Sequence, residues 1–229
     1  MAASVSTLGR RAWARSATFA LGLAALLFGP AGSLHFWPGW LFGFVFVGAT
    51  VAISVYFLNH DPKLVERRIH VGPIAEQEPT QKTIMTITLL GFTMLIALPG
   101  FDYRWHWSAV PSWLVLVANA GVALSFGMFF VVLKQNSYAA STIRVEPDQP
   151  VVSTGLYAIV RHPLYAGALL FLICTPPALG SYWTYLVLVP VIPVLAWRLL
   201  DEERFLKRNL PGYSEYCRAT CFRLIPRIW

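Results

Sequence analysis

The chain has 229 residues, of which 56% are hydrophobic and only 13% are charged, and its formal net charge is +7. Soluble globular domains carry about 25% charged residues, so this composition excludes an ordinary soluble domain. It indicates an integral membrane protein. Long apolar stretches in such a chain predict helices, because a helix pairs its own backbone groups and about 20 residues cross the hydrocarbon core.

The apolar stretches predict an all-α fold with about six transmembrane helices. They lie near 17–34, 39–58, 84–100, 111–133, 164–180 and 182–200. The first stretch follows three arginines and precedes Ala31-Gly32-Ser33, which is also the layout of a secretory signal. Its removal would leave five spans, and a retained helix is the simpler interpretation. No internal repeat or Gly/Ser linker divides residues 1–229, which predicts a single domain.

The positive charges predict the orientation of these helices. Seventeen of the eighteen Lys and Arg residues fall on one side of the six predicted spans, and only Arg104 falls on the other. The positive-inside rule then places both termini and the two long loops in the cytoplasm. Five spans would spoil this asymmetry. The asymmetry and attraction to anionic membrane lipids explain the net charge without a nucleic-acid partner.

Two charged clusters flank the last pair of predicted helices. The first is Arg161-His162-Pro163-Leu164-Tyr165-Ala166-Gly167, and the second is Asp201-Glu202-Glu203. The turn around Gly180-Ser181 is short, so the two helices form an antiparallel hairpin. We therefore expect the two clusters to meet at one membrane face.

The paired clusters favour a ligand that carries both signs of charge. Pro163 suits the first turn of a helix, whose free N–H groups attract anions, and Arg161 and His162 add donors for a carboxylate or phosphate. Glu202 and Glu203 accept hydrogen bonds from ribose hydroxyls or an ammonium group. S-adenosylmethionine carries a carboxylate, an amine, a ribose and a fixed cation, and fits this requirement.

The same residues resemble a known family. G-L-Y-A-I-V-R-H-P-L-Y-A-G at 155–167, D-E-E-R-F-L at 201–206, G-Y-S-E-Y at 212–216 and R-L-I-P at 223–226 resemble the isoprenylcysteine carboxyl methyltransferase and phospholipid methyltransferase group, in its bacterial branch. The resemblance covers 134–226 strongly, which marks this part as catalytic, and D-P-K-L-V-E-R-R at 61–68 weakly. It implies an enzyme of the bacterial inner membrane that binds S-adenosylmethionine in a cytosolic pocket.

The resemblance also implies roles for individual residues. The implied catalytic residues are Arg161, His162 and Glu203, and the implied cofactor-binding residues are Gly155, Tyr157, His162, Pro163, Tyr165, Gly167, Glu202 and Glu203. The methyl acceptor stays open among a prenylated cysteine carboxylate, a lipid amine and a small hydrophobic metabolite. A carboxylate needs no base, whereas an amine must first lose a proton, which Glu202, Glu203 or His162 could accept.

Other functions compete with this hypothesis. Membrane sterol and enone reductases also carry an Arg-His-Pro-x-Tyr segment and bind a nicotinamide nucleotide, but they typically have Asn where this chain has Leu164 and lack its acidic and Gly-Tyr-x-x-Tyr ending. A transporter would need ionisable residues in mid-membrane, and the predicted spans hold almost none. Each charged cluster alone is typical of a solvated helix end, and their joint occurrence favours a binding site.

The remaining polar and special residues carry weaker signals. Cys174, Cys217 and Cys221 are expected to be packing residues or free thiols, and His35, His60, His70 and His106 match no metal-binding spacing, so no metal site is predicted. Tyr213 and Tyr216 either cover the cofactor or anchor at lipid headgroups.

Three local features predict backbone structure. Asp61 is expected to cap a short helix that starts at Pro62. The turn-rich stretch 145–150 is expected to cover a cytosol-facing pocket, and Pro176-Pro177 should kink or end the fifth long helix.

Overall fold

The computed structural model describes the backbone of residues 2–69, 79–139, 145–146 and 148–229, and the side chains of these residues except 2–16, 69 and 79. His70, Arg144 and Pro147 lie outside the described residues. Within the described parts the chain is helical and contains no strand. The helices are α1 (Ala2–Ala31), α2 (Trp37–His60), α3 (Pro62–Ile69), α4 (Pro79–Trp105), α5 (Ser112–Gln135), α6 (Pro163–Ala178), α7 (Tyr185–Asn209) and α8 (Tyr213–Ala219).

The six long helices lie where the sequence predicts them. Three segments, Trp37–His60, Thr80–Trp105 and Ser112–Gln135, are long and apolar enough to cross a membrane. Two further apolar segments, Ala17–Ala31 and Pro163–Ala178, are shorter. The crossing of the membrane by all six helices, and the cytoplasmic position of both termini, remain predictions.

Apolar side chains cover the outside of the helices. Leu21, Phe44 and Val189 expose 74%, 79% and 69% of their surface. Soluble proteins rarely display contiguous apolar surface of this kind, whereas lipid tails accept it without cost. These surfaces and the apolar helices indicate an integral membrane protein.

Several helix boundaries differ from the sequence prediction. Helix α4 extends beyond 84–100 at both ends, and α7 continues past residue 200 to Asn209. Helix α1 starts at Ala2, well before the predicted span, because residues 2–16 contain no proline and are rich in helix formers such as Ala, Leu and Arg. Helix α6 ends at Ala178, directly after Pro176-Pro177, and the connection to α7 contains Gly180 at φ +71°. Glycine adopts this left-handed conformation without steric cost, which makes it the commonest residue directly after a helix end.

The short helix α3 begins as predicted. Asp61 Oδ1 accepts a hydrogen bond from the Leu64 backbone N–H at 3.1 Å, and Pro62 is the first helical residue. The cap fixes the direction in which the chain leaves α2, and it sets α3 against the start of the segment that follows α5.

An aromatic cluster joins the long helices at the centre of the bundle. The ring of Phe46 lies 5.0 Å from that of Phe126 and 5.7 Å from that of Phe171, both edge to face. Gly167 lets α6 approach α5 closely, because a Cβ atom there would lie 2.9 Å from Phe129. The centre is thus filled largely by interlocking rings, and the few buried polar side chains within the long helices, such as Ser125 and Thr175, bond to backbone carbonyl groups of their own helix.

A buried carboxylate connects the loops at the end of the bundle opposite the charged clusters. Asp102 of α4, 1% exposed, accepts hydrogen bonds from the hydroxyls of Ser108 at 2.6 Å and Ser181 at 2.5 Å, and from the Ser108 backbone N–H at 2.7 Å. Ser108 belongs to the α4–α5 loop and Ser181 to the α6–α7 loop, so the carboxylate holds these two loops together.

We predict that Gly100→Ala destabilises the bundle. A Cβ atom at Gly100 would lie 2.9 Å from both the backbone N of Ala31 and the backbone O of Leu27 in α1, and backbone atoms cannot rotate away. The added methyl should cost about 1–3 kcal/mol, measured as a lower thermal unfolding temperature in detergent. Gly127→Ala is the matched control in α5, because no other group lies within 4 Å of the place that its methyl would take. Equal unfolding temperatures for the two variants would contradict the close contact between α1 and α4.

Candidate active site

The two charged clusters meet at one end of the bundle, as the sequence predicts. The antiparallel arrangement of α6 and α7 brings Arg161 Nη1 to 3.1 Å from Glu203 Oε1. The Tyr165 hydroxyl donates a hydrogen bond to Glu202 Oε2 at 2.5 Å. Residues about 40 positions apart in sequence therefore form one site.

Backbone pairing with the C-terminal segment fixes the basic side of the site. The N–H groups of Arg161 and His162 donate to the carbonyl oxygens of Phe222 and Arg223 at 2.9 and 3.0 Å. The Arg161 side chain also donates from Nη2 to the Cys221 carbonyl at 3.1 Å. The residues directly before α6 are thus held in place by a segment 60 residues later in the chain.

Glu203 lies at the centre of a buried ionic cluster. Its side chain is 2% exposed, and its carboxylate accepts hydrogen bonds from Lys207 Nζ at 2.7 Å, Arg223 Nε at 2.9 Å and Arg161 Nη1 at 3.1 Å. His162 Nε2 lies 3.6 Å from Glu203 Oε2, beyond hydrogen-bond distance. One carboxylate therefore links α7, the start of α6 and the C-terminal segment.

The surroundings of Glu203 keep it ionised. Burial by itself raises the pKa of a carboxyl group, but the neighbouring His162, Lys207, Arg223 and Arg161 outweigh burial and hold the pKa of Glu203 well below its ordinary value. A carboxylate with a strongly lowered pKa is a poor proton acceptor. Glu203 is thus suited to fix the positions of the basic side chains around it.

A cavity of about 320 Å³ lies beside this ionic cluster. Its volume is at the lower end of the range of small-molecule sites, about 300–1,000 Å³. Six of the residues predicted for the site line it. They are Tyr157, Arg161, His162, Pro163, Tyr165 and Glu202.

The other three predicted residues, Gly155, Gly167 and Glu203, are not among the lining residues of the cavity. Gly155 has φ +60°, and a Cβ atom there would lie 2.3 Å from the Gln135 side chain, so glycine permits the turn that carries Tyr157. Gly167 packs on Phe129, as described above. In this structure the three residues support the cavity walls from behind.

The cavity has polar residues that the sequence did not single out for the site. Arg68 of α3, Asn136 and Arg198 line it. Arg198 is the one charged residue between Leu164 and Leu200, and that isolation in an apolar hairpin is the signal that could have identified it. The sequence pattern at 61–68 predicts the short helix α3, but it does not indicate that the side chain of Arg68 reaches the cavity.

Two tyrosines and part of the loop before α6 cover the cavity. Tyr213 and Tyr216 are both buried and line it, which favours the covering role over anchoring at lipid headgroups. The Tyr216 hydroxyl donates to the Tyr157 carbonyl at 2.8 Å. Gln149 and Pro150 also line the cavity, as expected for the turn-rich stretch 145–150.

Apolar residues also line the cavity. Three long helices contribute them, with Met85 and the methyl-bearing Thr88 from α4, Ala168 from α6 and Leu195 from α7. The cavity therefore offers both charged and apolar contacts to a ligand.

Three buried polar atoms of residues that line the cavity have no hydrogen-bond partner among the described residues. They are Arg161 Nε, His162 Nε2 and the Tyr213 hydroxyl. Buried polar groups are normally paired, and an unpaired one at a cavity indicates a contact made by a ligand or by water. The donor and acceptor groups present, with cationic, carboxylate and phenolic side chains together, fit a zwitterionic nucleoside such as S-adenosylmethionine.

The fold and the site define a class of protein: a helical membrane protein with a charged ligand cavity at one end of its bundle. Residues 113–208 match the family model of the isoprenylcysteine carboxyl methyltransferase (ICMT) family. The matched segment runs from α5 to α7 and contains both charged clusters. The predicted resemblance to this family of membrane methyltransferases is confirmed over that segment.

The chain is also similar to a sterol reductase. It is 22% identical over 224 residues to Delta(14)-sterol reductase TM7SF2 of Mus musculus, an alignment that covers 84% of this chain and 53% of that protein. The chain thus spans about half the length of this curated relative.

We predict that Glu203→Gln destabilises the protein strongly at neutral pH. The change leaves Arg161 buried without its carboxylate, and loss of one partner of a buried ion pair costs about 3–5 kcal/mol. The measurement is thermal unfolding in detergent, with Glu215→Gln as control, because Glu215 is exposed.

The difference in stability between the wild type and Glu203→Gln should depend on pH. Because the folded-state pKa of Glu203 is lowered, its stabilising effect is complete above its unfolded pKa of about 4.3 and is lost as the pH falls below that value. The stability difference between the wild type and Glu203→Gln should therefore shrink below about pH 4. A difference that stays constant down to pH 3 would contradict an ionised, paired Glu203.

Proposed function

We propose that the protein is an S-adenosylmethionine-dependent methyltransferase of the membrane that acts on a lipophilic acceptor. The observation that carries this proposal is the meeting of the Arg161–His162 and Glu202–Glu203 clusters, both within the family-matched segment, beside a cavity. The asymmetry of Lys and Arg supports a multi-pass protein whose site faces the cytoplasm, and the resemblance to the bacterial branch of the family supports a bacterial inner membrane.

The chain provides groups for each part of the methyl donor. Glu202 lines the cavity, and because Tyr165 donates to one of its oxygens, the carboxylate is oriented to accept hydrogen bonds from an ammonium or ribose. His162 Nε2 and the Tyr213 hydroxyl provide two further polar contacts. Pro163 begins α6, so the free N–H groups of its first turn add a weakly positive surface.

S-adenosylmethionine supplies a methyl group already activated on a sulfonium, so transfer to a carboxylate requires no general base. The chain then contributes chiefly by positioning and by exclusion of water. Tyr213 and Tyr216 cover the cavity, and their burial is consistent with that role. Tyr213 has a pKa raised well above the ordinary tyrosine value by burial, so it stays a neutral hydrogen-bond donor.

The apolar residues of the cavity lining support a lipophilic acceptor such as an isoprenylcysteine-type carboxylate or another lipid-like molecule. Met85 of α4, Ala168 of α6 and Leu195 of α7 offer contacts to hydrocarbon. For an amine acceptor, as in a phospholipid N-methyltransferase, the proton acceptor would be His162 or Glu202, since Glu203 is occupied by basic partners.

A second candidate function is an NADPH-dependent reduction of a sterol or enone. The observation that favours it is the alignment with the sterol reductase, which covers more of this chain than the family match does. The ICMT family match contains the residues of the site, and this supports the methyltransferase as the first candidate.

We expect S-adenosylhomocysteine to raise the unfolding temperature of the purified protein, and NADPH to leave it unchanged. A ligand at 100 times its Kd stabilises a protein by about 2.7 kcal/mol, which is readily seen as a shift in unfolding temperature. His162→Ala and Glu202→Gln should each weaken binding of S-adenosylhomocysteine about tenfold or more, because each loses a hydrogen bond to a polar or charged group.

Arg204→Gln is the control for both variants, because Arg204 is exposed on α7 next to the site. All three variants should remain folded in detergent. Stabilisation by NADPH alone would reject the methyltransferase and favour the reductase. Normal binding by both His162→Ala and Glu202→Gln would mean that the ligand site lies elsewhere.

Methyl-labelled S-adenosylmethionine, incubated with membranes that contain the protein, should identify the acceptor. For a carboxylate acceptor we expect label in the lipid extract or on protein that mild alkali releases as volatile methanol, because a methyl ester hydrolyses. Label that survives alkali indicates an N-methyl product. A Glu202→Gln membrane preparation gives the background.

A further inference from the structure

Two adjacent arginines of α3 have different surroundings. Arg67 donates from Nε and Nη2 to the two oxygens of Glu146 at 2.9 and 2.6 Å, and from Nη1 to the Ser137 carbonyl at 2.8 Å. It also lies over the ring of Tyr138, 4.7 Å from its centre. Arg67 is therefore fully used in tying α3 to the segment that follows α5.

Arg68 instead lines the cavity. Its Nη1 donates to the Ala139 carbonyl at 3.0 Å, and among the described residues no carboxylate forms an ion pair with it. Near it, Asn136 Nδ2 donates to the Tyr157 hydroxyl at 3.1 Å, and both residues line the same part of the cavity. Burial lowers the pKa of Arg68 below the ordinary arginine value. Its guanidinium stays charged, and the charge is poorly compensated.

The other charges at the cavity are arranged differently. Arg161 is neutralised by Glu203 behind the wall, at 3.1 Å. Glu202 lines the cavity but is hydrogen-bonded to Tyr165, which belongs to α6 and not to α3. Arg68 thus places a positive charge on the part of the cavity wall that α3 forms, and none of the described residues there provides a carboxylate to neutralise it.

A partly buried guanidinium without a counter-ion is costly, and a bound oxyanion removes that cost. Its remaining N–H groups form a planar fork that matches the two oxygens of a carboxylate. The Ala139 carbonyl holds one side of the guanidinium in place, so that it is oriented before a ligand arrives.

We propose that Arg68 binds the carboxylate of a ligand in the cavity, as an anchoring residue contributed by α3. The inference rests on the proposed methyl transfer, which has two ligands with carboxylate chemistry: the amino-acid part of the methyl donor, and an acidic lipophilic acceptor. Arg68 lies outside the family-matched segment 113–208, so the anchor would be a contribution of the N-terminal half of this chain.

The test compares the wild type with Arg68→Gln, which removes the charge but retains a donor for the Ala139 carbonyl. Arg68→Lys keeps the charge and loses the fork. Arg204→Gln controls for the loss of one exposed positive charge. Unfolding temperatures verify that all variants are folded. Binding is measured by calorimetry in detergent.

The first arm compares S-adenosylhomocysteine with methylthioadenosine, which lacks the amino-acid part. The second arm compares oleate with methyl oleate, which differ only in the carboxylate charge. If Arg68 binds the donor, Arg68→Gln should weaken S-adenosylhomocysteine about tenfold or more and leave methylthioadenosine nearly unchanged. If it binds the acceptor, Arg68→Gln should bind S-adenosylhomocysteine normally and lose the wild-type preference for oleate over its ester.

In the arm where Arg68→Gln weakens binding, Arg68→Lys should retain part of the wild-type binding, because the positive charge remains. The inference is overturned if Arg68→Gln behaves like Arg204→Gln in both arms. Failure of the proposed function is a separate result: the wild type would then not bind S-adenosylhomocysteine at all. The oleate arm needs no methyl donor and still decides the role of Arg68 in that case.

Discussion

The buried carboxylate of Glu203 is the interaction on which the site depends. It joins three parts of the chain that the membrane helices alone would not hold in register: α7, the residues directly before α6, and the C-terminal segment through Arg223. The same C-terminal segment pairs with the backbone of Arg161 and His162. A single ion in an apolar protein can do this because its attraction to several basic groups is weakly screened there. The basic side of the cavity is therefore rigid before any ligand binds.

The sequence predicted the helices and the meeting of the two clusters, because apolar length and a short turn leave little choice in a membrane protein. It did not distinguish the roles of Glu202 and Glu203. Consecutive residues on a helix point about 100° apart, and only the rotation of α7 in the bundle decides that Glu202 lines the cavity while Glu203 faces the ionic cluster. The role of the two motif glycines was equally hard to predict from the sequence. Gly155 and Gly167 match the family pattern, but in the structure their missing side chains leave room for Gln135 and Phe129 to pack against the backbone.

The cavity also shows why residues outside a motif are hard to predict. Arg68 and Met85 reach it from α3 and α4, about 90 and 80 positions before the Arg-His-Pro-x-Tyr segment. Nothing in their local sequence separates them from other residues of a helix cap or an apolar span. The methyltransferase family and the sterol reductase resemble this chain over overlapping residues, so the walls built from α5 to α7 suit more than one chemistry. The parts contributed by α3, α4 and the loop before α6 are then where specificity is expected to reside.

Polar contacts fasten the bundle at both of its ends. At the end away from the cavity, the Asp102 carboxylate joins the α4–α5 and α6–α7 loops through Ser108 and Ser181. At the other end, the Gln81 side chain of α4 is hydrogen-bonded to Asp201 and Arg198 of α7, and Arg198 lines the cavity. The spacing between α4 and α7 beside the cavity is therefore set by polar contacts that lie outside the aromatic centre.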